Sequence, residues 1–302
     1  MIYTLTLNPS IDYLMRLPSF LPSDINRAED VSLLPGGKGI NVSIVLTNLG
    51  IRNKALGFVS GDTGKMFVSL LSNQGIDSEF IEVKDGFTRI NVKVISGSET
   101  QLNGNGPQIA ESDLDALLSG LSNLSDGDTL VLSGSLPSNL PSDTYARIIS
   151  RLPRGKIRTI VDTTGDSLTT CLIHKPYMIK PNHTELAEIY GKSHLLRDEI
   201  IECAKDLQSK GAQNVLVSMG GDGAILVCED GKAYFADAPK GEVISTVGAG
   251  DSTVAGFIYA IENGFCFQDV LNFSVSAGSA TAFTSHLASA REIRDVYGAN
   301  FN

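Results

Sequence analysis

Short apolar runs alternate with segments of helical periodicity along the whole of this 302-residue chain. Runs rich in β-branched and aliphatic side chains are typical of buried strands, and they occupy 2–7, 129–134, 159–162, 177–180, 214–218 and 224–228. Apolar residues three and four positions apart predict amphipathic helices at 42–49, 114–121, 145–152 and 200–207. This alternation predicts an α/β fold with a mostly parallel sheet, helices on both faces, and a ligand beyond the carboxyl ends of the strands.

Two segments, at about 12–35 and 87–104, depart from this alternation and predict a small β-sheet inserted into the first half of the chain. In one of its strands, period two puts Arg89, Asn91 and Lys93 on one face and Ile90, Val92 and Val94 on the other. A solvated face is the ordinary interpretation of such alternation. Because this face carries two cations in an acidic protein, a lid that faces a ligand is at least as well supported.

The length and the apolar content of 42% allow one large α/β core. The sequence shows no repeat of 20 to 50 residues, no low-complexity tract and no proline-rich linker. We therefore expect residues 1–302 to form a single domain that carries the small sheet.

The stretch TVGAGDST, residues 246–253, opens into an apolar helical pattern. Glycines at a helix start leave backbone N–H groups pointing outward, where the helix dipole adds positive potential, so Gly248, Ala249 and Gly250 predict an anion site. An acid in the same turn, Asp251, repels a bound phosphate, so its presence there is explained mainly if it takes a proton from an attacking hydroxyl. The pattern predicts phosphoryl transfer; a tight turn with a dipole-favoured acid is the alternative.

A second glycine cluster, PGGKGIN at 35–41, also precedes an amphipathic helix. Gly37 allows close approach of the backbone to a ligand, and Lys38 and Asn41 supply donors to hydroxyls or a phosphate. Asp12 follows the first predicted strand and lies at the same sheet edge, where it either binds sugar hydroxyls or stabilises a turn.

Two further motifs lie at strand ends. In IKPNHTE at 179–185, Asn182 and Glu185 occupy one side of a first helical turn. They form a capping box, organise a metal and nucleotide phosphates, or do both. Lys180 is a nearby cation. SMGGDG at 218–223 separates two predicted strands, so it is either a hairpin turn or a lining for a nucleotide.

Several other classes of protein are disfavoured. In PGGKG the lysine is followed by glycine, which a Walker A loop does not allow, and no G-x-G-x-x-G opens the first βα unit. A net charge of −10 argues against nucleic acid and against anionic membrane surfaces as partners. The four cysteines and four histidines show no metal-binding spacing. Because the N-terminus lacks the features of a signal peptide and no long apolar run occurs, we expect a cytoplasmic protein.

The motifs GGKGIN, KPNHTE, SMGGDG and VGAGDS, in this order, resemble those of the PfkB branch of the ribokinase-like sugar kinases. The likeness spans nearly the whole chain. It implies an αβα sandwich of about nine strands with a small β lid, which is often the dimer contact, and it implies ATP and Mg²⁺ as cosubstrate and cofactor.

The resemblance also implies roles for single residues. Asp251 is expected to be the catalytic base, with the amides of Gly248, Ala249 and Gly250 as anion hole, and Glu185 with Asn182 is expected to hold Mg²⁺ through water. The expected ATP site comprises Lys180, Asn182, Glu185, Ser218, Gly220, Gly223, Thr246, Gly248 and Gly250. The expected sugar-phosphate site comprises Asp12, Gly37, Lys38, Asn41, Arg89 and Asn103.

Within the family, the motifs are most similar to those of members that phosphorylate fructose 1-phosphate at its 6-hydroxyl, giving fructose 1,6-bisphosphate and ADP. Kinases of tagatose 6-phosphate share much of the pattern and provide the alternative substrate. A sugar-phosphate sensor on the same fold is a non-enzymatic alternative, which the acids at 185 and 251 disfavour. A nucleoside or vitamin kinase is disfavoured by the cations Lys38, Arg89 and Lys93, which suit an anionic acceptor.

Overall fold

The computed structural model describes residues 1–153 and 157–301, and within them 13 β-strands and 10 α-helices. The strands are β1 Ile2–Thr6, β2 Ser10–Arg16, β3 Asp30–Gly36, β4 Asn53–Ser60, β5 Asp77–Val83, β6 Arg89–Ser96, β7 Ser98–Asn103, β8 Thr129–Ser133, β9 Arg158–Asp162, β10 Met178–Ile179, β11 Asn214–Ser218, β12 Ala224–Val227 and β13 Ala233–Ala236. The helices are α1 Lys38–Asn48, α2 Gly61–Asn73, α3 Glu111–Leu121, α4 Thr144–Ser150, α5 Asp166–Thr169, α6 His183–Ile189, α7 Arg197–Ser209, α8 Ala249–Glu262, α9 Phe267–Ala282 and α10 Ala290–Phe301.

Nine strands form the main sheet, in the order β13-β12-β11-β10-β9-β8-β1-β4-β5. Pairing is parallel from β11 to β5, and β12 and β13 add two antiparallel strands at one edge. The central strands β8 and β9 are almost entirely buried, as continuous apolar runs between two helical layers should be. The mostly parallel sheet expected from the alternation of strands and helices is therefore confirmed.

Each face of the main sheet has its own apolar core. On one face, side chains of α3, α4, α6 and α7 pack against the strands, with Tyr145 and Leu168 fully buried among them. On the other face, α1, α8, α9 and α10 form the second core, in which Phe257 is fully buried. The helices at 42–49, 114–121, 145–152 and 200–207 all occur, and their apolar stripes face these cores.

Four strands form a separate sheet, in the order β3-β2-β6-β7, which we call the lid sheet. Strand β2 pairs in parallel with β6, and β6 and β7 form a hairpin around Gly97, whose φ of 68° suits glycine. The segments predicted at about 12–35 and 87–104 contain most of these strands, with β2 beginning two residues earlier, at Ser10, and β3 ending one residue later, at Gly36.

The register of the lid sheet separates its two faces. The face toward the main sheet carries polar side chains from β2, β6 and β7: Ser10, Asp12, Arg89, Asn91, Lys93, Gln101 and Asn103. The opposite face is apolar and partly exposed, and includes Val31, Leu33, Ile90 and Leu102. Among the described helices, none has the length and apolar character needed to cross a bilayer.

Candidate active site

A cavity of about 360 Å³ lies between the lid sheet and the carboxyl ends of the central strands. Eight residues predicted from the sequence line it, and they come from the lid sheet, from α1 and from the start of α8: Asp12, Gly37, Lys38, Asn41, Arg89, Asn103, Gly248 and Asp251. The cavity therefore brings together the acid and all six residues that the sequence assigned to the sugar phosphate.

Helix α8 begins at the cavity with Gly248 as its N-cap, at a φ of 78°. A side chain at this position would be strained, and its Cβ would lie 2.5 Å from Leu287 Cδ2. Among the described residues, no acceptor faces the N–H groups of Gly248 and Gly250, whereas Ala249 N–H lies 3.3 Å from the Thr246 carbonyl oxygen. Two of the three amides predicted for the anion hole are thus free for a ligand.

Asp251 lies in the first turn of α8, 6% exposed, with Oδ2 accepting a 2.7 Å hydrogen bond from Asn41 Nδ2. Burial, followed by the negative charge of Asp162, raises the pKa of Asp251 to about 6. The Asn41 hydrogen bond, Lys38 and Lys180 act in the opposite direction. A carboxylate with a pKa near the operating pH is suited to accept a proton from a hydroxyl.

Helix α1 begins beside α8, with Gly37 as its N-cap at a φ of 124°. A Cβ on Gly37 would lie 2.9 Å from Thr6 Cγ2, so the close approach of this turn to β1 requires glycine. Lys38 reaches Asp162, with Nζ 3.4 Å from Oδ1. Burial disfavours the charged lysine, but Asp162, Asp251 and Glu185 outweigh it, so that the pKa of Lys38 lies above its usual value.

Asp162 ends strand β9 and is fully buried between two lysines. Its Oδ1 lies 3.2 Å from Lys180 Nζ, and Ser133 Oγ donates to Oδ2 at 3.3 Å. Although burial favours the neutral acid, Lys180 and then Lys38 hold the pKa of Asp162 below its usual value. Sequence reasoning assigned no role to Asp162; the signal that could have found it is an acid that closes an apolar strand at the ligand-binding edge of the sheet.

The lid wall of the cavity is a hydrogen-bonded polar surface. Asp12 Oδ2 pairs with Lys93 Nζ at 2.7 Å, and its Oδ1 accepts from Ser10 Oγ and Asn91 Nδ2 at 2.8 and 3.1 Å. Arg89 Nε donates to the Asn8 carbonyl oxygen at 3.1 Å, and burial lowers the pKa of its guanidinium. The cationic strand face predicted at 89–93 therefore faces the cavity.

The residues predicted for the nucleotide form a second group, next to the cavity. Lys180 Nζ lies 3.3 Å from the position that a Cβ on Gly250 would take. Asn182 caps α6 and forms the predicted capping box with Glu185, through two hydrogen bonds of 2.8 Å. Asn182 forms an isolated parallel β-bridge with Ser218, the last residue of β11 before the turn to β12.

The rest of that group lies on loops. Gly220 opens a short 3-10 turn, Gly220–Asp222, and Gly223 ends it at a φ of 84°. Thr246 is exposed just before α8. None of Lys180, Asn182, Glu185, Ser218, Gly220, Gly223 and Thr246 lines the 360 Å³ cavity. The polar residues that line it without being singled out from the sequence are Thr6, Asn8, Ser10, Gln101 and Ser135.

Comparisons with known proteins agree with this architecture. The chain is 42% identical over 296 residues to 1-phosphofructokinase of Bacillus subtilis, covering 98% of this chain and 97% of that protein. It is 38% identical over 288 residues to D-tagatose-1-phosphate kinase of Bacillus licheniformis, covering 95% and 94%. The structure of phosphofructokinase-2 from Escherichia coli in complex with fructose-6-phosphate superposes with a TM-score of 0.93 at 30% identity, covering 100% of this chain and 99% of that one.

The family model for pfkB family carbohydrate kinases matches residues 5–293. The expected ribokinase-like αβα sandwich, with a mostly parallel sheet and a small β lid, is confirmed. The chain belongs to the PfkB family of carbohydrate kinases.

Proposed function

We propose that this protein transfers the γ-phosphoryl group of ATP to the 6-hydroxyl of fructose 1-phosphate, giving fructose 1,6-bisphosphate and ADP. The observation that carries this proposal is the buried Asp251, which faces an acceptor cavity and has free amides in the same helical turn. The names of the relatives, 1-phosphofructokinase among them, support the same substrate.

In the proposed complex, the acceptor occupies the cavity with its sugar hydroxyls against Asp12, Asn41 and Asn103. Asp12 is a hydrogen-bonded carboxylate, and hydroxyls donate readily to such an acceptor. Arg89 faces the phosphate that the sugar already carries, with its Nε fixed to Asn8 and its terminal N–H groups not hydrogen-bonded to any described residue. Gly37 brings the α1 backbone close to the sugar.

The transfer itself requires little covalent chemistry from the protein. The 6-hydroxyl oxygen forms a bond to the γ-phosphorus, the bond to the leaving ADP oxygen breaks, and the hydroxyl proton passes to the Asp251 carboxylate. Charge develops on the transferred group, where the amides of Gly248 and Gly250 and the ammonium groups of Lys38 and Lys180 stabilise it.

One carboxylate oxygen next to the predicted nucleotide group is available to a divalent cation. Glu185 uses Oε2 for the capping box, and Oε1 accepts no hydrogen bond from the described residues. Carboxylate oxygens are the ligands that Mg²⁺ prefers, often through water. We propose that Glu185, oriented by Asn182, holds Mg²⁺ through water; when bound, the ion neutralises charge on the phosphates.

The rest of the nucleotide site is part of the same proposal. Lys180 and Ser218 flank the phosphates, and the turn from Gly220 to Gly223, together with Thr246, lines the remainder of ATP. Because ATP is the phosphoryl donor, a cytoplasmic location belongs to the proposal. We also propose a homodimer through the lid sheet, since its outer face exposes apolar side chains such as Val31 and Leu102, 51% and 59% exposed.

A coupled assay of ADP release tests the function across fructose 1-phosphate, fructose 6-phosphate, tagatose 6-phosphate, ribose and adenosine. We expect the highest kcat/KM for fructose 1-phosphate, and the product should be cleaved by fructose-bisphosphate aldolase. The Asp251→Asn variant, purified in parallel, controls for contaminating kinases. Best turnover of an uncharged acceptor would contradict the proposal, and absence of turnover of every acceptor would favour a sensor.

A second substrate is favoured by one comparison. The name of the Bacillus licheniformis relative gives D-tagatose 1-phosphate as its substrate, with the phosphate on the same carbon as in fructose 1-phosphate. Tagatose and fructose differ at one stereocentre, so the site must distinguish a single hydroxyl. Including tagatose 1-phosphate beside tagatose 6-phosphate in the assay separates discrimination by phosphate position from discrimination by stereochemistry.

A further inference from the structure

The lid wall of the cavity contains a nearly buried ammonium group, that of Lys93 on β6. The residue is 9% exposed, it lines the cavity, and its Nζ lies 2.7 Å from Asp12 Oδ2. Lysine is rarely buried unless it is paired, and a buried ion pair is often no more stabilising than an apolar pair of similar volume. The stability of the lid sheet therefore does not explain why lysine occupies this position.

The described residues use only part of the hydrogen-bonding capacity of the Lys93 ammonium group. Asp12 already accepts hydrogen bonds from Ser10 and Asn91, so these two donors stabilise its carboxylate without the lysine. Asp12 is the only acceptor that the described residues offer to the Lys93 ammonium within bonding distance. Because an ammonium group has three N–H donors, two of them remain for a molecule in the cavity.

The cations of the site fall into two groups. Lys38 and Lys180 both bind Asp162, close to Asp251 and Gly250, where the phosphoryl group is transferred. Lys93 belongs to the lid sheet and lies four residues beyond Arg89 on β6. At the usual rise per strand residue, its Cα is roughly 13 Å from that of Arg89. Its cross-strand neighbour Gln101 also lines the cavity. The ammonium of Lys93 is therefore separated from the transfer group and available to a different phosphate.

We propose that Lys93 binds the phosphate which the acceptor already carries, on the side of that phosphate opposite Arg89, and that it is a main determinant of the selection of phosphorylated over unphosphorylated sugars. This inference rests on the proposed function. An acceptor with its reacting hydroxyl at Asp251 places its far end along the lid wall, past Asp12 and Asn91. Hydrogen bonds between charged groups contribute about 1.5–3 kcal/mol each, which is roughly 10- to 150-fold in affinity.

The test measures kcat/KM for fructose 1-phosphate and for fructose in the wild type and in Lys93→Met, Lys93→Gln and Lys93→Arg. In the Met and Gln variants we expect a loss of roughly 10- to 150-fold on fructose 1-phosphate, mainly in KM, and less than about threefold on fructose. The Arg variant should recover most of the loss, because it keeps the charge. If fructose is not turned over, its inhibition constant against fructose 1-phosphate replaces kcat/KM.

Lys54→Met is the matched control, because Lys54 also pairs with acids, Asp77 and Glu79, but lies outside the cavity. Equal losses on both sugars would overturn the inference and show that Lys93 only positions Asp12. Unchanged kinetics on fructose 1-phosphate would overturn it as well. If the wild type prefers another phosphorylated acceptor, the proposed function fails. The role of Lys93 is then decided by comparing the losses in kcat/KM on that acceptor and on its unphosphorylated parent.

Discussion

Helices α1 and α8 both begin at the cavity with a glycine at positive φ, yet they carry opposite charges there. The first residue of α1 is Lys38, a cation at the positive end of a helix dipole, where it is disfavoured. The first turn of α8 carries Asp251, which the dipole favours but whose pKa burial and Asp162 raise to about 6. The helix dipole does not account for a lysine at the start of α1, and burial does not account for an acid at the start of α8, so chemistry at the cavity explains both.

The two helix starts are joined by the hydrogen bond from Asn41 to Asp251. Through this bond, α1 orients the acid of α8 and lowers its pKa, while Asp162 raises it from the other side. The comparison therefore makes separate predictions for the acid, for the cation and for the bond between them.

The largest effect is expected for Asp251→Asn. The amide cannot accept the hydroxyl proton, so kcat should fall on the order of 10³-fold, about 4 kcal/mol in activation free energy. The KM for fructose 1-phosphate should change only a few-fold, because the ground-state contacts remain. A correctly folded variant that keeps kcat within tenfold of the wild type would exclude Asp251 as the base.

The same substitution should stabilise the protein. The folded pKa of about 6 lies above the ordinary value of 3.8, so the acid destabilises the fold increasingly as pH rises from about 4 through 6. Asp251→Asn should therefore raise the free energy of unfolding by about 3 kcal/mol at pH 8 and by about half of this at pH 5. Urea unfolding at both pH values measures this, and an equal gain at pH 5 and pH 8 would contradict the raised pKa.

Lys38→Met removes the cation from the start of α1 and leaves Asp162 with Lys180 alone. We expect kcat/KM to fall roughly 30-fold, about 2 kcal/mol, because a charge-assisted contact to the phosphoryl group is lost. Lys38→Arg is the control that keeps the charge, and steady-state kinetics with both substrates varied show which KM changes. If Met and Arg behave alike, the charge at this helix start is not what matters.

Asn41→Ala breaks the bond between the helices and should have the smallest effect. In the wild type, kcat/KM should fall tenfold per pH unit below a pKa near 6, since the base must be ionised. Without the Asn41 donor the pKa rises, so the acidic limb should move upward by about one unit, worth about 1.4 kcal/mol. A profile that keeps its acidic limb in place would show that Asn41 does not act on Asp251.

The sequence predicted six of the nine strands of the main sheet, β1 and β8 to β12, because these buried strands appear as continuous apolar runs. It did not single out α9, where small residues such as Ser274, Ala277 and Gly278 are buried against α8 and obscure the apolar period. Strands β4 and β13 were not singled out either, and β5 was missed for a different reason. It lies at the edge of the sheet and alternates exposed acids with half-buried residues, so its apolar content is low.

The candidate site shows the same division. Glycine clusters at helix starts were visible because few other residues permit those backbone angles. Asp162 was not, since a single acid at the end of an apolar strand is a weak signal, and its importance depends on two lysines 124 and 18 positions away in the chain. The pairing of Asp12 with Lys93 depends likewise on the register between β2 and β6, which no local spacing specifies.

The bond between Asn41 and Asp251 spans 210 positions of the chain. During synthesis from the N-terminus, the lid sheet and α1 emerge long before α8, so a nascent chain carries the acceptor wall without the base. Such non-local contacts form late and slowly in folding, because a large loop must be closed before they are made. Catalytic competence therefore arises only when the last quarter of the polypeptide has docked.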